Sequence, residues 1–165
     1  LFFLLFTELI YKYKRKWQLT SGIQFVTYNQ EIYEMKSEVP LVKTVVPYVD
    51  FLYRFDSKNT LRAEFQYMDT KQDFGSWLFG LAEYSIAPKW SFEASGMYNT
   101  HPKKANSKGE IEKTLYPTLG VVFYHEAQRY TLRYVKQVEG VVCSGGICRL
   151  EPAFSGIRFN MATTF

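Results

Sequence analysis

From Leu61 to Tyr67 the side chains alternate without a break, with Leu61, Ala63, Phe65 and Tyr67 on one parity and Arg62, Glu64 and Gln66 on the other. Alternate side chains of a strand face opposite sides of a sheet, so this stretch predicts a β-strand with one apolar face and one face bearing charges of both signs. The pattern recurs in Trp17, Leu19, Ile23 and Phe25 against Gln18, Thr20 and Gln24, and in Val49, Phe51, Tyr53 and Phe55 against Asp50 and Arg54. It returns in Trp90, Phe92, Ala94 and Tyr98 against Ser91, Glu93, Ser95 and Asn99. Near the end of the chain Tyr130, Leu132 and Tyr134 oppose Thr131 and Arg133, and Ile157, Phe159 and Met161 oppose Arg158 and Asn160. Two segments, 77–86 and 116–124, carry apolar residues on both parities.

Turn signals punctuate these segments at about one strand length. Tight ones fall at 14–16, 57–59, 87–89 and 126–129, and longer or more polar ones alternate with them at 34–43, 71–75, 101–113 and 143–148. At the start of the chain residues 1–6 run through Thr7 and Glu8 into a further aromatic strand, so about nine strands result. Short turns at one end and longer loops at the other are the signature of outer-membrane barrels, in which lipid covers the apolar face and water or ion pairs fill the interior. The aromatic content of 18% suits strands and membrane interfaces alike. No helical span is expected, because one needs about 20 consecutive apolar residues. The expected fold is therefore all-β, an antiparallel up-and-down transmembrane β-barrel forming one domain over residues 1–165. Bacterial single-chain barrels usually have an even strand number. With about nine strands here, and no leader features before Leu1, the reading is a C-terminal part that lacks N-terminal strands.

The last strand carries Ile157, Phe159, Met161 and Phe165 on one parity and ends in Phe. It resembles the C-terminal signal strand of outer-membrane proteins, which implies recognition of Phe159, Met161 and Phe165 by the barrel-assembly machinery. The stretch 78–98, with LAEYSIAPKW at its core, and the stretch 139–155, EGVVCSGGICRLEPAFS, resemble the C-terminal half of a Bacteroidota outer-membrane family of unassigned function. The resemblance covers the chain from about Thr60 onward. It implies a barrel in the bacterial outer membrane and brings no catalytic residues with it.

Cys143 and Cys148 are the only cysteines, separated by Ser144, Gly145, Gly146 and Ile147. An outer loop lies in a compartment that permits disulfides, so a structural disulfide is expected, with a free redox pair as the alternative. Metal is not expected, since no His flanks the pair and two thiolates leave a zinc site short of ligands. His101 and His125, the only histidines, fall at opposite ends of the proposed topology and do not share a site. No nucleophile, base and orienting group occur together, so neither enzymatic activity nor a cofactor is expected.

Asp50, Arg54, Arg62, Glu64, Glu83, Glu93, Arg133 and Arg158 are the candidate lumen-lining residues. They either set the charge preference of an aqueous path or pair across strands and narrow it; their mixed signs point to pairing. Tyr11, Tyr13, Trp17, Tyr53, Phe55, Trp90, Tyr98 and Tyr130 lie near strand ends and read as interfacial girdle residues. Lys103, Lys104, Lys108 and Lys113 read as a solvated loop that is also placed to touch lipopolysaccharide phosphates. The formal charge of +4 is dispersed, which gives nucleic-acid binding little support. The expectation is a porin-like channel or a structural subunit of a larger outer-membrane assembly, with lipid, lipopolysaccharide and other outer-membrane proteins as partners. The alternative is a soluble ligand-binding β-barrel or sandwich whose apolar face packs inward.

Overall fold

The computed structural model describes residues 2–33, 38–72, 74–103, 111, 113–137, 140–144 and 147–164; for residue 33 and for 140–144 and 147–151 it describes the backbone only. Nine antiparallel strands form one sheet: β1 (Phe2–Tyr13), β2 (Trp17–Tyr28), β3 (Val42–Arg54), β4 (Asn59–Thr70), β5 (Gly75–Ile86), β6 (Trp90–Pro102), β7 (Leu115–His125), β8 (Gln128–Gln137) and β11 (Phe154–Thr163). Each strand pairs with its sequence neighbours, so the sheet is an up-and-down meander, and β1 and β11 form its two open edges. Two elements were not anticipated. A helical turn, α1 (Gln30–Tyr33), follows β2, and the segment expected as a loop around the cysteines is a hairpin of β9 (Gly140–Ser144) and β10 (Ile147–Glu151), separate from the main sheet.

The tight turns hold because small local devices satisfy their backbone. Lys16 N–H donates to the Tyr13 carbonyl at 3.2 Å, and Lys14 takes the left-handed conformation that a two-strand reversal requires (φ 50°). In the β3–β4 turn the Asp56 carboxylate accepts from the Lys58 and Asn59 amides at 2.7 and 2.9 Å and from the Asn59 side chain at 2.8 Å. These turns and those at 87–89 and 126–127 share one end of the sheet. The other end carries the connections 29–41, 71–74, 103–114 and 138–153, three of them long.

Register assigns every paired residue to a face, because directly opposed residues project to the same side. One face presents Leu61, Phe65, Phe92, Leu119, Leu132, Ile157 and Phe159. Its side chains are open to the surroundings: Phe65 is 54% exposed, Leu119 56% and Ile157 73%. The opposite face holds the buried residues, and many of them are polar: Thr20, Thr44, Ser91, Asn99 and Thr131 stand beside Val122 and Val135. A water-soluble core places large apolar residues inside and small polar ones outside; this sheet does the reverse. The face with the buried polar residues is called the inner face below.

Candidate functional site

The inner face is organised around one register row. Lys12, Gln18, Leu52, Arg62, Glu83, Glu93, Gly120, Arg133 and Arg158 lie side by side across all nine strands. Asp50 and Glu64 occupy the next row toward the long loops, and Arg54 the next row toward the tight turns. All eight candidate residues thus share the inner face. Arg54 is turned to the rim, where its guanidinium donates to the Arg15 carbonyl at 3.4 Å.

Three like-charged pairs stand directly opposite one another: Asp50 with Glu64, Glu83 with Glu93, and Arg133 with Arg158. Such pairs are destabilising unless each charge finds a partner elsewhere. Arg62 divides itself between Asp50 (2.6 Å) and Glu64 (2.5 Å). Glu83 accepts from the hydroxyls of Ser91 (2.7 Å) and Ser85 (3.3 Å), and Arg158 donates to the Gln137 side chain at 3.3 Å. Glu93 takes Arg133 at 2.7 Å although a whole strand separates them.

That last contact depends on a glycine. Gly120 pairs with Glu93 on one side and Arg133 on the other, and the Arg133 chain lies across it, so a Cβ there would fall 2.9 Å from Arg133 Cγ. The same device recurs on β1 to β3. Gly22 separates Glu8 from Tyr48, the Tyr48 ring covers it, and the phenol donates to Glu8 at 2.6 Å. Neither Gly120, Gly22, Glu8 nor Tyr48 was singled out from the sequence; the available signal was a glycine inside an otherwise strong strand pattern, which marks a close approach. The two spans lay polar side chains flat along the sheet, and a cavity of about 350 Å³ remains above Glu8, Tyr48, Asp50, Arg62 and Glu64.

Toward the long loops the inner face becomes apolar, with Val46, Met68, Trp77, Phe79, Met97 and Tyr116. This is the origin of the second apolar parity in 77–86 and of Tyr116 in 116–124, whereas Val122 and Tyr124 lie on the inner face toward the tight turns.

On the outer face the aromatic residues gather near the tight turns. Trp17 lies 5.3 Å from Tyr11, 5.9 Å from Tyr13 and 6.0 Å from Phe51 between ring centroids, and Tyr53, Phe55 and Tyr84 continue the series at 4.9 and 6.2 Å. Trp90 stacks against Phe92 at 6.2 Å and meets Phe123 at 4.5 Å, and Phe123 meets Tyr130 at 6.3 Å. Of the expected girdle residues Tyr98 stands apart, on the outer face but near the long loops, opposite Leu78 and Leu115.

Phe159 and Met161 lie on the outer face of β11, and Phe165 lies outside the described residues. Cys143 and Cys148 are direct register partners on β9 and β10; the expected disulfide concerns side chains outside those described. His101 ends β6 at the long-loop end and His125 ends β7 at the tight-turn end. Lys103 and Lys113 flank a segment in which Lys104 and Lys108 lie outside the described residues. Among the described residues, no group of three or more His, Cys, Asp and Glu side chains is arranged to hold a metal ion, and no helix is long and apolar enough to cross a membrane.

The fold and its two faces define an all-β protein whose described strands build a nine-stranded, up-and-down antiparallel sheet, apolar on one face and charge-bearing on the other. The chain belongs to a family of unknown function (DUF6029), whose model matches residues 4–165. Neither a curated protein nor a solved structure matches it.

Proposed function

We propose that the sheet is the wall of a bacterial outer-membrane β-barrel that encloses a polar interior, and that it acts as a porin-like channel. The observation that carries this reading is the inversion of burial: Phe65, Leu119, Ile157 and Phe159 are more than half exposed, whereas Thr131 and Ser91 are buried. In water such a face would far exceed the apolar patches of a few hundred Å² that soluble monomers expose, while lipid covers it at no cost. Strands of 10–13 residues extend roughly 33–43 Å and, tilted by about 40°, project roughly 25–33 Å along the membrane normal, enough for the ~25 Å apolar band of an outer-membrane barrel. The aromatic series by the tight turns has the position of an interfacial girdle.

The strand count bears on closure. With nine strands of alternating direction, β1 and β11 run parallel to each other. An all-antiparallel barrel therefore needs an odd number of further strands between them, which makes the total even, as in bacterial barrels. These open edges favour a second reading, a structural subunit whose barrel or assembly is completed by other strands.

The test is to fractionate cells making the full-length protein and to run the outer-membrane fraction on unheated and boiled SDS gels. Faster migration unheated supports the barrel, and conductance after reconstitution then supports the channel over the subunit. Recovery in the soluble fraction without detergent, and no shift, would overturn the membrane reading in favour of a soluble ligand-binding β-barrel or sandwich.

A further inference from the structure

We infer that the apolar half of the inner face, on the long-loop side of the charged row, is a binding site for a hydrophobic cation. The inference rests on the barrel reading for one point, that this face is shut off from lipid. Lipid explains the outer apolar face but not this one. Val46, Met68, Trp77, Phe79 and Met97 bound a cavity of about 450 Å³; its polar lining is Gln24, Gln66 and one charged group, Glu64. A smaller cavity of about 190 Å³ shares Trp77, Phe79 and Met97 and ends at Tyr116, whose ring is already covered by Lys136 Nζ at 5.6 Å, so the cation's place is beside Trp77 and Phe79 in the larger cavity.

The charge selects the occupant. Glu64 and Asp50 share one Arg62, at 2.5 and 2.6 Å, so the three groups together carry one net negative charge, and Glu64 brings it to the edge of the cavity. Aromatic rings and a carboxylate together favour a cation with an apolar body, and flexible thioethers adapt to its shape. Met97, 40% exposed, is the accessible part of that surface, and Trp77, 7% exposed, lies behind it as a reporter. A purely apolar solute would gain nothing here over the bilayer, and an anion would meet the carboxylates.

The experiment uses the full chain in neutral detergent with Trp17→Phe and Trp90→Phe, which leaves Trp77 as the sole tryptophan, titrated with tetraphenylphosphonium or with its anionic counterpart of the same shape, tetraphenylborate. The expected result is a saturable change in Trp77 emission with the phosphonium, at least tenfold weaker with the borate, and a fivefold or greater loss of phosphonium affinity in Glu64→Gln. Met97→Gln, at an exposed position, is expected to weaken the phosphonium without restoring the borate. Equal responses to the two ions, or no saturable response, overturn the inference. The same samples are run unheated and boiled: a gel shift without saturable binding removes the cation site and leaves the barrel standing, whereas loss of the shift in the parent protein removes the barrel reading itself. If Glu64→Gln alone loses the shift, the phosphonium-to-borate ratio in the parent and in Met97→Gln decides.

Discussion

Arg133 and Glu93 meet at 2.7 Å from two strands apart, because Gly120 on the strand between them has no side chain to hold them off. A Cβ at Gly120 would sit 2.9 Å from Arg133 Cγ, in the middle of the arginine chain rather than at its free end. We expect Gly120→Val to lower stability by about 1–3 kcal/mol, with Gly120→Ala intermediate. The ion pair keeps some contact with solvent, the two side chains being 30% and 21% exposed, so its own coupling should be nearer 1 kcal/mol. A double-mutant cycle of Glu93→Gln and Arg133→Met in reversible denaturant unfolding measures it, and zero coupling would show that the pair only fills space.

Tyr48 should anchor the edge strand. Its hydroxyl passes over Gly22 to bond Glu8 on β1, a strand exposed along its whole length and paired on one side only. Tyr48→Phe is expected to cost about 1 kcal/mol, the usual worth of such a bond. Hydrogen exchange should accelerate on β1 and stay unchanged on β7 and β8, and uniform acceleration would contradict the local anchoring.

Asp56 lies in the β3–β4 turn, outside the strands. Hydrogen bonds from the Asn59 side chain, then from the Lys58 and Asn59 amides, hold its carboxyl below its ordinary value of 3.8. A carboxyl depressed in the folded state stabilises at pH above its unfolded value, and that contribution is lost as pH falls through the lowered folded value. The Lys58 and Asn59 amide resonances should therefore titrate below pH 3.8 in the native protein and show no such step in Asp56→Ala.

Phe65 and Gln66 are sequence neighbours on opposite faces. If lipid covers the outer face, Phe65→Arg should cost about 2–4 kcal/mol of folding stability in bilayers, as charges near the midplane of a barrel wall do, while Gln66→Arg should cost well under half of that. Folding yields into lipid vesicles compare the two directly. Equal penalties would contradict the assignment of lipid and interior faces.

The strands were legible because their information is local. The alternation from Leu61 to Tyr67 specifies a strand and its apolar side without reference to any partner, and the tight turns follow from polar residues at strand-length intervals. Thus the nine sheet strands and the shared face of Asp50, Arg62, Glu64, Glu83, Glu93, Arg133 and Arg158 were readable in the chain. The helical turn at Gln30–Tyr33 and the β9–β10 hairpin were missed, being short segments without periodicity.

Pairing is a different matter, since it depends on register, and register brings together residues tens of positions apart. No local rule connects Glu93 with Arg133, separated by 40 positions, or Glu8 with Tyr48. The roles of Gly22 and Gly120 follow only once the strands on both sides are aligned. The apolar residues of 77–86 and 116–124 likewise had no meaning until alignment gathered Trp77, Phe79, Met97 and Tyr116 into one inner patch. What the sequence determined by itself was the two-sidedness of each strand, because a side chain's face depends on parity alone. The tertiary structure decided which side chains meet on a given face, because that depends on the stagger between strands, set jointly by every turn and every cross-strand pair.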